Sequence, residues 1–111
     1  MASEELEELA SKIADWAHPE LTVYVFGSRV RGDHGPNSDV DIHFGLPGGP
    51  SREFTCWWTR QNNQDFPDLR KVLPGALGPF ERTAPLAPEI EGGRVVHECR
   101  NVRCILLPAK P

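Results

Sequence analysis

The stretch "FGSRVRGDHGPNSDVDIHF", residues 26–44, decides how the rest of the chain is read. It starts where an apolar run, Leu21 to Phe26, breaks into Gly27-Ser28. It ends in a second apolar run that carries Asp39 and Asp41 one residue apart. The first run, LTVYVF, is short, β-branched and aromatic with a glycine behind it, which predicts a strand buried on both faces. DVDIHF alternates, so Val40, Ile42 and Phe44 are expected on one face and Asp39, Asp41 and His43 on the other. The two strands are expected to be neighbours, Asp39 to Phe44 forming the second, with both carboxylates opening onto the Gly-Ser turn.

That arrangement has a chemical meaning. A strand ending in Gly-Ser and entering a short helical turn (Arg29, Val30, Arg31) offers free backbone N–H groups at a helix start. Such a turn attracts phosphate, and glycine lets the backbone come close. Substituting Gly27 is therefore expected to cut nucleotide binding and leave the fold largely intact. Ser28 adds a hydroxyl donor, while Arg29 and Arg31 read equally well as phosphate contacts and as surface ion pairs. Ser38 is expected to cap the turn that presents the aspartates. Two carboxylates held close repel each other when both are ionised, and a hard divalent cation relieves the repulsion. Mg²⁺ prefers a few carboxylates plus substrate phosphates to a full protein cage. A phosphate cradle beside metal carboxylates implies in-line displacement at phosphorus. His43 shares the aspartate face and is read as a helper or an exposed side chain, not a catalytic group.

Outward from this core, SEELEELASKIADWAHPE reads as an amphipathic helix. Ser3 caps it, Glu4 and Glu5 suit its positive end, and Leu6, Leu9, Ile13 and Trp16 form its apolar face. His18-Pro19 marks its end. Helix signals return from Ser51 to Val72, and Pro67 should divide them into two pieces. Phe54, Trp57 and Trp58 share one face there, with one tryptophan expected in the core and the other half-exposed. LPGALGP is a loop around at most one short strand. GRVVHECRNVRCILLP, about residues 94–107, predicts a hairpin turning near Arg100-Asn101. The order describes an α+β fold, one mixed sheet with helices mainly on one face, in a single domain over 1–111.

Composition agrees. A chain 39% hydrophobic and 25% charged can bury a core without disulfides. The formal charge of −4 argues against a broad attraction to nucleic acid. No apolar run suits a bilayer, so no membrane partner is expected, and with no export signal the chain is expected to be cytoplasmic with reduced Cys56, Cys99 and Cys104. His97, Cys99 and Cys104 are read as a strand ending and not as a metal half-site. Arg31-Gly32-Asp33 belongs to the phosphate turn and is not an adhesion motif.

GSRVRGDHGPNSDVDIHF resembles the signature of the polymerase-β-like nucleotidyltransferases: Gly-Ser, a spacer, then Asp-x-Asp on the next strand. The run GSRVRGD…SDVD looks most like the minimal nucleotidyltransferase group, and the resemblance covers residues 21–45. It implies the nucleotidyltransferase fold and transfer of a nucleoside monophosphate from a Mg²⁺-bound triphosphate, with ATP as donor, to a protein or small-molecule acceptor. A helical toxin protein is the implied partner. By the same resemblance Gly27 and Ser28 contact the triphosphate, and Asp39 and Asp41 coordinate Mg²⁺. The family usually adds a third carboxylate on a later strand. Element order assigns that catalytic role to Glu81, with Asp68 as the alternative. A chain lacking the third acid would instead be a non-catalytic binding module, such as an antitoxin occupying a partner protein.

Overall fold

A computed structural model describes residues 3–77 and 88–108. Helix α1, Glu4–Trp16, begins where the sequence places it. The Ser3 hydroxyl accepts from the Leu6 N–H, and Glu4, Glu5 and Glu7 occupy the first turn, meeting the positive end of the helix dipole. Its apolar stripe, Leu6, Leu9, Ala10, Ile13 and Ala14, is buried. Strand β1, Thr22–Phe26, follows, and its three middle residues are buried. A short helix α2, Ser28–Arg31, leads by way of a turn to strand β2, Asp41–Gly45.

Proline divides the next region as expected. Helix α3, Arg52–Asn63, is capped by Ser51, and α4, Pro67–Val72, opens with Pro67 in its first turn. Asp65 and Phe66 between them adopt left-handed backbone, a conformation disfavoured for residues with a Cβ. Arg70 holds that corner through the Asp65 carbonyl and carboxylate, and Phe66 is fully buried. A short α5, Pro88–Glu91, precedes the hairpin of β3, Arg94–Cys99, and β4, Val102–Leu106. The turn at Arg100-Asn101 carries left-handed backbone at Arg100.

The four strands form one mixed sheet in the order β2-β1-β4-β3. β1 runs antiparallel to β2 and parallel to β4, so the last strand of the chain is inserted beside the first. Val23, Val25, Ile42, Phe44, Val102 and Cys104 face the buried stripes of α1, α3 and α4 in one core. The opposite face is covered by a smaller cluster in which Ile90 of α5 meets Tyr24 and Ile105. Helices thus lie mainly on one face, as the sequence predicts.

Two expectations need correction. Neither tryptophan of α3 is a core residue with the other left out; both are half-buried. Trp57 lies against Trp16 and His18, and Trp58 against Phe44, Phe54 and Phe66, because adjacent helical positions diverge toward different neighbours. The buried Gln61, which the sequence did not single out, accepts the Trp16 indole N–H at 3.2 Å. The second strand is also shorter than DVDIHF suggests. Its ladder with β1 ends at the pair Phe26 and Asp41, since β1 leaves the sheet at Gly27 and offers Asp39 no partner.

Candidate functional site

Gly27 joins β1 to α2 with φ 82° and ψ −156°, a region that essentially only glycine occupies. Its α-hydrogen side faces Asp41. A Cβ built on Gly27 would overlap Asp41 Oδ2 and stand 3.0 Å from Asp41 Cγ. Glycine is therefore required here twice, by backbone conformation and by the carboxylate packed on it. Gly27 is no freely substitutable phosphate contact, and the expectation that its substitution spares the fold is corrected accordingly. The carboxylate of Asp41 and the Gly27-Ser28 turn share one place, as the alternation in DVDIHF predicted.

Asp41 is half-buried. Burial, and then the Asp39 carboxylate beside it, push its carboxyl above the ordinary carboxylate range, while Arg31 pulls it back down. Asp39 itself is exposed. Ser38 closes the turn before the pair: its hydroxyl accepts from the Gly35 N–H at 2.8 Å, and its own N–H donates to the Gly35 carbonyl at 3.2 Å. The expected capping role holds.

The two arginines part company. Arg31 is half-exposed and forms an ion pair with Asp33 at 3.2 Å, so the RGD tripeptide closes on itself within the turn. Arg29 turns under the loop, where its Nη2 donates to the Ser38 carbonyl at 2.8 Å. Its Nε is buried with no hydrogen-bond partner among the described residues. His43 is not an exposed side chain: it is 3% exposed, beside Tyr24, because the far face of the sheet is covered.

Of the two candidates for a third acid, Glu81 lies outside the described residues. Asp68 stands exposed in the first turn of α4, and among the described residues no group of three His, Cys, Asp or Glu side chains is placed to hold a metal. Asp68 therefore does not complete the pair, and His97, Cys99 and Cys104 form no metal centre; all three cysteines are free. Sequence reasoning missed the segment that braces the pair from outside the ladder. The Val40 N–H donates to the Ala76 carbonyl at 2.8 Å, and Val40 bridges Leu77 in parallel. The loop LPGALGP carried no signal for this beyond room for one short strand.

A nearby cavity of about 150 Å³ lies between α1, α4 and the turn, with Leu6, Leu9, Lys12, Arg29, His34 and Val72 in its walls. Neither aspartate lines it. A profile of the nucleotidyltransferase domain matches residues 6–84, a span that includes Gly27, Ser28, Asp39 and Asp41. The chain belongs to that family. No curated protein and no solved structure matches it. The matched span of this nucleotidyltransferase domain runs from α1 beyond α4, and the β3–β4 hairpin lies outside it although β4 pairs with β1. Among the described residues no helix is long and apolar enough to cross a membrane.

Proposed function

We propose that this nucleotidyltransferase domain moves a nucleoside monophosphate from a Mg²⁺-bound triphosphate, ATP, to a hydroxyl of a protein or small molecule, releasing pyrophosphate. The observation that carries the reading is the packing of the Asp41 carboxylate on Gly27. The residues fit the ion. Asp39 and Asp41 are hard oxygen donors, and Mg²⁺ is commonly held by one or two carboxylates with the substrate's phosphates supplying the rest. When bound, Mg²⁺ supplies charge neutralisation at the phosphates.

The chain's own groups divide the remaining work. The N–H groups of Ser28 and Arg29 in the first turn of α2, with the Ser28 hydroxyl, orient the triphosphate. Arg31, half-exposed beside the carboxylates, adds positive charge toward phosphate oxygens. The acceptor hydroxyl attacks the α-phosphorus as the bond to the β-phosphate oxygen breaks, and its proton leaves to a base; Glu81 is the residue we assign to that acid set by element order. The test is incubation with α-labelled ATP and Mg²⁺, with and without cell extract. Label on a macromolecule or small acceptor, lost in Asp41→Asn, is the expected result.

One observation favours a second reading. Among the described residues Asp68, the alternative third acid, does not join Asp39 and Asp41 in a group of three that could hold a metal. A domain left with that pair would act by occupying a partner protein. Tight co-purification of a protein with no transferred label would establish this reading over the first.

A further inference from the structure

Asp39 lies past the last β1–β2 pair, Phe26 and Asp41, so the ladder that fixes Asp41 does not reach it. Its two chain neighbours are held from elsewhere. On one side the Ser38 carbonyl accepts from Arg29 Nη2 at 2.8 Å. On the other the Val40 N–H donates to the Ala76 carbonyl at 2.8 Å, beside the parallel bridge to Leu77. Gly75 makes these two braces compatible. A Cβ on Gly75 would overlap the Ser38 carbonyl oxygen and stand 3.0 Å from Arg29 Nη2. That clash is with backbone, which has little room to move within a turn closed by Ser38 and Gly35.

Arg29 follows Ser28 on α2, so one short helix both presents the phosphate turn and reaches across to Ser38. The buried Nε left without a partner among the described residues is a cost of holding the guanidinium there. A surface ion-pair arginine would leave that N–H to water.

We propose that Arg29 and Gly75 are positioning residues that hold Asp39 at the spacing from Asp41 and from the Gly27-Ser28 turn at which the pair takes a divalent cation. The proposal rests on the reading of Asp39 and Asp41 as metal carboxylates. It assigns Arg29 to the geometry of the site instead of to direct phosphate contact, and it gives a role to a loop glycine far from the signature in sequence. Outer partners of metal ligands act in this way, and their loss weakens metal affinity about ten- to a hundredfold.

The experiment uses the full chain, with Mn²⁺ alone as the probe read by electron paramagnetic resonance. Amide hydrogen exchange is followed at single residues without metal. Gly75→Ala and Arg29→Met should each weaken Mn²⁺ binding about tenfold. Each should also speed exchange of the Val40 amide about tenfold, while ladder amides of β1 and β2 keep their protection. Arg29→Lys retains a donor and a charge and should recover part of both effects. A merely structural role would lower protection throughout and show no recovery with lysine. Unchanged Mn²⁺ affinity in the variants overturns the proposal, whether or not Val40 exchange rises. If Gly75→Ala fails to fold, the contrast between Arg29→Met and Arg29→Lys decides it. A parent that takes up no Mn²⁺ defeats the metal reading itself. Failure of the brace alone looks different, because Val40 exchange is measured in the absence of metal.

Discussion

Asp41 and Cys104 stand on the two neighbours of β1 and on opposite faces of one sheet. Asp41 is opposite Phe26 on β2, and Cys104 is opposite Val25 on β4. Burial acts on both in the same direction. Burial, and then Cys99 beside it, push the Cys104 thiol up to about 12, and burial with Asp39 raises the Asp41 carboxyl. The consequences differ. A thiol is neutral near pH 7 in either state, so burying Cys104 among Val25 and Val102 sets no charge against the fold. A carboxyl is ionised near pH 7 when unfolded, so half-burying Asp41 next to a second carboxylate works against folding. The face under α1, α3 and α4 is arranged for packing, and the far face keeps at its end a charge pair that folding alone would not select.

The largest effect should come from the point where the Asp41 carboxylate meets the backbone. Gly27→Ala forces a Cβ into a glycine-only conformation and onto Asp41, and the strain alone should lower unfolding free energy by about 3 kcal/mol. Gly32 is the control. It also has positive φ, 88°, but nothing lies within 4 Å of an added Cβ, so Gly32→Ala should lose only about 1 kcal/mol. Urea unfolding of the two variants measures the difference; equal losses would mean that neither the backbone conformation nor Asp41 sets Gly27 apart.

Asp41→Asn sharpens the comparison by sign. With its carboxyl raised in the folded state, the native protein binds more protons than the unfolded chain just above the unfolded value. Stability contributed by Asp41 is therefore full at low pH and lost as pH rises through the folded value. The asparagine variant should lack that decline and be as stable as the parent or slightly more stable at pH 7. It should also lose the stabilisation by Mg²⁺–ATP, which in the parent reaches about 2.7 kcal/mol at a hundredfold excess over Kd. Thermal unfolding from below the unfolded value of 3.8 up to neutral pH, with and without Mg²⁺–ATP, reads both. A variant less stable than the parent at pH 7 would make Asp41 a structural group.

On the covered face the same sign rule applies at alkaline pH. Cys104 contributes stability that is intact below its unfolded value of 9.0 and is lost as pH rises toward about 12. A thiol reagent at neutral pH should label exposed Cys56 quickly and leave Cys104 unreacted until the chain unfolds. Rapid labelling of Cys104 in the native protein would show that the face is not closed. The smallest effect is expected at Arg31, whose exposed pair with Asp33 is worth under about 1 kcal/mol. Arg31→Gln should change stability by about 0.5 kcal/mol or less. It should still weaken the response to Mg²⁺–ATP, measured by the same melting shift.

Local chemistry in the sequence was enough to read the helix cap at Ser3, the break at Pro67, the terminal hairpin and the joining of Gly27 to Asp41. Each depends on near neighbours: a hydroxyl within one turn, a missing N–H, alternation along a strand, a glycine ending an apolar run. Tertiary structure decided the rest. That β4 enters beside β1, that His43 is covered, and that Gly75 packs on the Ser38 carbonyl all depend on segments far apart in the chain. No periodicity records such contacts, because close approach between distant backbones leaves only a glycine in a loop as its trace. The residue types for the chemistry are written locally, and their separation in space is set by packing.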